Sequence, residues 1–323
     1  MATMVPGYRH TPGHHCGSTA LRNLLAFHGA EVSEEMAFGL GAGACFYYVT
    51  LPEQSPSRFT NGRVGQLEQN FLELTGTPLR LRTSDDDAEA WRMASEAVEE
   101  GRPAVLLTDL YYLDHYGNSA HFPGHAVVLA GFDDEVAYLS DTGFEELQTT
   151  KLENLSKARH SKNPAFPLSG HMLDMPNGSR IEASDLSGAI PGAIARATEQ
   201  MLEPAFGEFQ GLPALERFAA EAPDWPAEAE DWQWCARFAY QVIERRGTGG
   251  GNFRLMYGRF LEEAGSQHAP LAFDAAARWS DLADAFKAAS ESDTPEPALW
   301  TAISERAEAV AGVERSLWES LAA

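Results

Sequence analysis

Behind Cys16 the apolar positions of the chain take on a helical period. Ala20, Leu21, Leu24 and Leu25 share one face, and Gly29 closes the segment. This predicts a helix of about three turns with Cys16 at its start. Further helices are predicted from Ser33, over 62–76 (Val64, Leu67, Phe71, Leu72, Leu74) and over 85–101, the last opening on acids that suit a helix N-terminus. Strand-like runs occur at 45–49, 79–82, 103–109, 125–133 and 135–141. The last two are close enough in sequence to pair as a hairpin. A short amphipathic helix at 151–159 leads into a stretch rich in Pro, Gly, Asn and Ser at 161–192. Beyond it the pattern is helical, over 194–202, 212–220, 227–245, 253–264, 271–289 and 297–321. The expectation is an α+β domain at residues 1–165 and a mostly helical C-terminal domain at 166–323.

This pattern puts reactive residue types at element ends. A cysteine at a helix start meets unpaired N–H groups and the positive end of the helix dipole, which favour thiolate over thiol. His125 opens one strand of the predicted hairpin and Asp141 closes the other, so antiparallel pairing brings imidazole and carboxylate together. Singly, each is also a common core or turn residue. In the order Cys16, His125, Asp141 they supply the nucleophile, base and orienting acid of papain-like catalysis. His10, His15, Gly17, Gly41 and Tyr111 are candidates for the oxyanion hole or pocket wall. His10, His14 and His15 precede the cysteine without any CxxC or HExxH spacing, so no metal site is expected. The alternate glycines at 39–43 lack the preceding strand of a dinucleotide fingerprint and suit a close backbone approach. The GTGGGN loop at 247–252 lacks a Walker ending. With Arg245, Arg246 and Arg254 around it, it is a candidate contact for an anion or a carrier protein.

Composition narrows the partners. The 24 Lys and Arg against 47 Asp and Glu give a net charge of -23, which disfavours nucleic acid and favours solubility or cationic small molecules. Three dispersed cysteines, with no signal-like or membrane-spanning run, fit a cytoplasmic protein without a disulfide framework. Self-association is left open, and no cofactor is expected.

Four segments, HCGSTALRNLLAFHG, GLGAGACFYY, DLYYLDHYGNSAHFPGHAVVLAGFD and GTGGGNFRLMYGRFLEEA, together resemble the butirosin biosynthesis protein H family. The resemblance spans nearly the whole chain. It implies a papain-like cysteine peptidase-type fold turned to acyl transfer, with a helical C-terminal domain. In the enzyme that names the family, the acyl group passes from an acyl carrier protein to an aminoglycoside amine. By the same resemblance Cys16 is the nucleophile, His125 the base and Asp141 the orienting acid. The peptidase relatives place a glutamine shortly before the cysteine. None precedes Cys16, so the backbone N–H groups of Cys16 and Gly17 or a histidine must serve the oxyanion, and peptide hydrolysis is disfavoured. The expected function is a thiol acyltransferase of natural-product biosynthesis, taking a phosphopantetheine-linked acyl donor to an amine or hydroxyl of a small molecule. The alternatives are a cyclase acting on a polyketide or peptide intermediate, a cysteine peptidase, and a scaffold that binds such an intermediate without chemistry.

Overall fold

The structure, a computed structural model, describes residues 1–118, 120–164 and 166–323. It forms two units, Met1–Ala37 with Glu68–Gly188, and Phe38–Leu67 with Ala189–Ala323.

The first unit is built on an antiparallel sheet. Its strands lie in the order Arg80–Arg82, Met172–Asp174, Ala104–Asp109, Pro123–Phe132, Val136–Ser140 and Gln148–Lys151, and Thr3–Met4 also pairs with Pro123–Phe132. Leu106, Val127, Leu129 and Leu139 of the sheet form one core with Met93, Ala97, Val98, Leu155 and Ala158 from the helices Asp87–Glu99 and Leu152–Arg159. Helix Cys16–Phe27 packs on the central strands, and the predicted stripe explains how: Leu21, Leu24 and Leu25 are fully buried. At about 1.5–3 kcal/mol for each buried leucine side chain, this face fixes the helix far more firmly than its intrinsic propensity would. The predicted hairpin is present, with Val128 opposite Ser140 and Leu129 opposite Leu139. Asp133 makes its turn by accepting the N–H groups of Glu135 and Val136, each at 2.9 Å.

The unit boundary differs from the expected junction, whose last N-terminal residue, Ala165, lies outside the described residues. The first unit continues to Gly188 because Met172–Asp174 inserts between Arg80–Arg82 and Ala104–Asp109. Asp174, completely buried at the end of that strand, is paired with Arg80, Arg82 and Arg102. Three residues flanked by turn formers carry no readable period, so the strand was invisible in the sequence.

The second unit wraps helices around a hairpin of Ala44–Thr50 and Arg58–Arg63. Phe46 packs against Phe218 and Trp279, and Tyr48 against Phe218 and Trp225, whose indole N–H donates to the Tyr48 hydroxyl at 3.1 Å. The helix expected over 62–76 is shorter, Leu67–Thr75, because its first residues belong to this hairpin. Arg58–Arg63 reads RFTNGR, too polar for a strand signal, yet Arg58, Thr60 and Gly62 turn inward with period two. A side chain at Gly62 would meet Asn252 Oδ1 at 2.0 Å, which explains the glycine. The expected helix at 227–245 is likewise divided, into Trp225–Glu228 and Trp232–Glu244.

Candidate active site

Cys16 stands at the first position of helix Cys16–Phe27 and is partly exposed, while Cys45 and Cys235 are buried, and none of the three forms a disulfide. The loop ahead of it is held from behind. Glu34, buried at the start of helix Glu34–Leu40, accepts the backbone N–H of His14 at 2.9 Å and of His15 at 2.7 Å, together with the hydroxyls of Ser18 and Thr19 at 3.0 Å each. His15 is the N-cap: its Nδ1 accepts the N–H of Ser18 at 3.3 Å. Those bonds use donors on either side of Cys16, and the helix carries no acidic residue in its first turn. Gly17 is required by space, because a Cβ there would lie 2.3 Å from Glu68 Oε1 and 3.2 Å from His15 Cε1.

His125 lies on strand Pro123–Phe132 and Asp141 immediately beyond strand Val136–Ser140. Their pairing is direct: His125 Nε2–H donates to Asp141 Oδ1 at 2.9 Å, with both residues buried. That bond leaves Nδ1 for Cys16, whose side chain interacts with the His125 ring. Burial by itself disfavours the charged ring, but the negative charges of Asp141 and Cys16 outweigh it and the imidazole is pushed up to about 10. Asp141 responds in the opposite sense. Burial opposes its ionisation, yet the attraction of His125 and the bonds from His115 and His125 hold it well below the usual carboxylate range. The arrangement therefore favours a protonated imidazole beside Cys16, with a carboxylate fixing the ring.

Two residues of this site escaped the sequence reading. His115 Nε2–H donates to Asp141 Oδ2 at 2.9 Å. The Tyr116 hydroxyl interacts with the Asp141 carboxylate, and its ring is edge-on to His125, with centroids 5.7 Å apart. Burial first, then the charges of Asp141 and Cys16, push the Tyr116 phenol far up, so it acts as a donor. Both residues lie in a short 3-10 turn, Asp114–Tyr116, that has no periodic signal. The available clue was an adjacent histidine and tyrosine between two turns, close before a strand-start histidine.

The remaining candidates separate. His10 is engaged at both ring nitrogens, accepting from the Ser140 hydroxyl and donating to the Phe144 carbonyl, each at 2.7 Å. It ties the N-terminal arm to the Asp141 turn and is not aimed at the cysteine. Tyr111 stacks on His121 with centroids 4.1 Å apart, and His121 is itself bonded to Asp109 at 2.8 Å. Gly41 belongs to the second unit, where a Cβ would meet Leu67 Cγ at 2.7 Å. A cleft of about 710 Å³ in the first unit is lined by His14, Arg9, Arg22, Glu31, Glu35 and Glu145, and none of Cys16, His125 and Asp141 borders it.

The expected anion contact at the glycine-rich loop is corrected by the structure. Arg254 is completely buried, its guanidinium donating to both carboxylate oxygens of Glu314 at 2.7 and 3.2 Å and to the carbonyls of Cys45, Gly62 and Asn252. Arg246 is bonded to Gln241 and lies over the Phe238 ring, while Arg245 is exposed at the end of its helix. The loop amides are consumed locally, Gly250 by Thr248, Gly251 by Glu244 and Asn252 by Ile243. Five consecutive left-handed residues from Gly249 to Phe253 make a tight inter-helix turn and not an anion cradle. Among the described residues no cluster of His, Cys, Asp and Glu is placed to hold a metal ion, and no helix is long and apolar enough to cross a membrane.

Comparison with known proteins follows the two halves of the chain. Residues 15–142 match the family model described as butirosin biosynthesis protein H, N-terminal, and residues 153–321 the one described as a domain of unknown function (DUF4872). Among solved structures the chain is similar to one described as a C39-like peptidase from Bacillus anthracis. The two are 16% identical with a TM-score of 0.38, over 56% of this chain and 100% of the other. No curated protein matches it.

Proposed function

Because the chain belongs to the DUF4872 family over residues 153–321 and matches the butirosin biosynthesis protein H model over residues 15–142, we propose that it is a papain-like, cysteine-dependent acyltransferase of natural-product assembly. The donor in this reading is an acyl thioester on a phosphopantetheine arm, carried by an acyl carrier protein or free. The acceptor is an amine or hydroxyl of a small molecule. One observation carries the reading: Cys16 begins a buried helix and interacts with the His125 side chain, whose Nε2 is bonded to Asp141 at 2.9 Å.

The reaction follows from these groups. The Cys16 proton resides on His125, and the thiolate attacks the thioester carbonyl. The tetrahedral oxyanion forms beside the first turn of the Cys16 helix, where the N–H of Gly17 has no partner within the helix ladder. Collapse expels the pantetheine sulfur, which takes the proton from His125, and leaves an acyl-Cys16 thioester. An acceptor amine then attacks the same carbonyl while His125 removes its proton. Breakdown releases the amide and restores the Cys16 thiolate with its imidazolium. Asp141 keeps Nε2 protonated throughout, so Nδ1 is the atom that exchanges the proton.

The test is intact-protein mass after incubation with a panel of acyl-pantetheine thioesters. A mass gain on the wild type, absent in Cys16→Ala and slowed in His125→Ala, supports the reading. A reactive Cys16 that forms no adduct with any donor overturns acyl transfer from thioesters.

A further inference from the structure

We propose that His115 is a positioning residue of the catalytic site, clamping the second oxygen of Asp141 so that the carboxylate is gripped between two imidazoles. The proposal rests on Cys16 and His125 acting as nucleophile and base.

The geometry is reciprocal. Asp141 Oδ1 receives His125 Nε2–H and Oδ2 receives His115 Nε2–H, each at 2.9 Å, and the Asp141 side chain is completely buried. A carboxylate held at one oxygen can rotate about its terminal torsion, which is broad and shallow. Bonds to both oxygens fix its plane, and with it the plane of the His125 ring. The His115 side chain is itself only 7% exposed, with the Phe144 ring edge-on at 5.1 Å. Its proton is also placed. Asp141 Oδ2 can only accept, so His115 Nε2 carries the ring proton and Nδ1 accepts the Thr150 hydroxyl at 3.3 Å, while Thr150 Oγ1 accepts the backbone N–H of Asp114 at 3.3 Å. The Thr150 bond is compatible with that tautomer and engages the other ring nitrogen.

The titratable groups around His115 are few. Asp141 faces it from the turn after Val136–Ser140, His125 stands across Asp141 on the central strand, and Tyr116 adjoins it on its own turn. The Asp114 carboxylate turns away to the N–H of Lys151 and to Asn154. Structural support alone would not need the donor aimed at Asp141. A positioning role does need it, because Asp141 stabilises the imidazolium, and through it the Cys16 thiolate, only while its plane is held.

The test follows alkylation of Cys16 by iodoacetamide against pH, read by peptide mass on the full chain, for the wild type, His115→Ala, His115→Gln and Thr150→Val. The wild type should react at pH 5.5 through its thiolate. His115→Ala should lose about tenfold at pH 5.5 while keeping its rate at pH 9.5, where any thiol is ionised without help. His115→Gln, which restores an N–H donor at similar reach, should recover most of that loss. Thr150→Val should shift the profile the same way by about threefold, the worth of one neutral hydrogen bond, and stands in if His115→Ala does not fold. An unchanged pH profile in His115→Ala, or a His115→Gln as impaired as His115→Ala, overturns the proposal while the acyl-transfer reading survives. A wild-type Cys16 that reacts at pH 5.5 no faster than His125→Ala overturns both.

Discussion

Glu34 accepts the backbone N–H of His15 at 2.7 Å although the two residues are 19 positions apart, and this bond anchors the loop that delivers Cys16. Cys16 is therefore held by a carboxylate from the next helix as well as by its own helix. The same carboxylate reaches His14, Ser18 and Thr19, so it acts as a shared cap for the whole entrance.

Glu34→Gln keeps the shape but turns one acceptor oxygen into a donor facing donors. Urea unfolding should show a loss of about 2–4 kcal/mol. Gly13→Ala should weaken the same cluster, because a Cβ there would lie 2.2 Å from Thr19 Oγ1 and 2.4 Å from Glu34 Oε2, at a cost of about 1–3 kcal/mol. Wild-type stability in either variant would mean that the cap does not hold the loop.

Asp141→Asn should alter the pH dependence of stability in a defined window. His125 is raised from 6.5 to about 10, so its contribution is complete below 6.5 and is lost as pH rises through about 10. Asp141 is depressed from 3.8, so its contribution is complete above 3.8 and is lost as pH falls below it. The melting-temperature gap between wild type and variant should be widest between 3.8 and 6.5 and should narrow toward pH 10. A gap that widens on the alkaline side would contradict the pairing.

Arg254 is expected to matter for stability and not for donor recognition. Arg254→Met strands Glu314 in the core, where it also accepts the indole N–H groups of Trp279 and Trp318 at 2.6 Å, and should cost about 3–5 kcal/mol in denaturant unfolding. Changing Glu314→Leu as well should recover part of the loss. Acylation of Cys16 at saturating donor should be unchanged in whatever fraction of the single variant is folded, and a selective rise in donor KM would revive the anion-contact expectation.

Thiol labelling of the native protein should modify Cys16 alone. Burial pushes the Cys45 and Cys235 thiols up and removes them from reagent, whereas Cys16 is partly exposed beside His125. One label per native chain and three per unfolded chain is the expected mass result. Early labelling of Cys45 or Cys235 would show that their surroundings open.

Much of this was legible in the sequence where side chains announce themselves by period or by position at an element end. Leu21, Leu24 and Leu25 marked the buried helix face, and the runs around Val127 and Leu139 marked the hairpin that joins His125 to Asp141. What escaped detection was local in sequence and tertiary in meaning. Met172–Asp174 is too short to carry a pattern, Arg58–Arg63 is too polar, and His115 and Tyr116 matter only because a turn folds them onto Asp141. Arg254 misled in the other direction: glycines beside arginines signal an anion site or a tight turn equally well, and burial decides between them.

The two units are interleaved along the chain, which crosses between them at 37/38, 67/68 and 188/189. During synthesis the hairpin bearing Phe46 and Tyr48 leaves the ribosome long before Phe218, Trp225 and Trp279, the rings that cover it. For some two hundred residues of translation, its aromatic strands are a sticky surface awaiting a distant lid. A gene truncated at 188 would not yield a minimal first unit but one burdened with an orphan hairpin. Dissecting this protein calls for replacing 38–67 by a short linker, not for choosing a better stop codon.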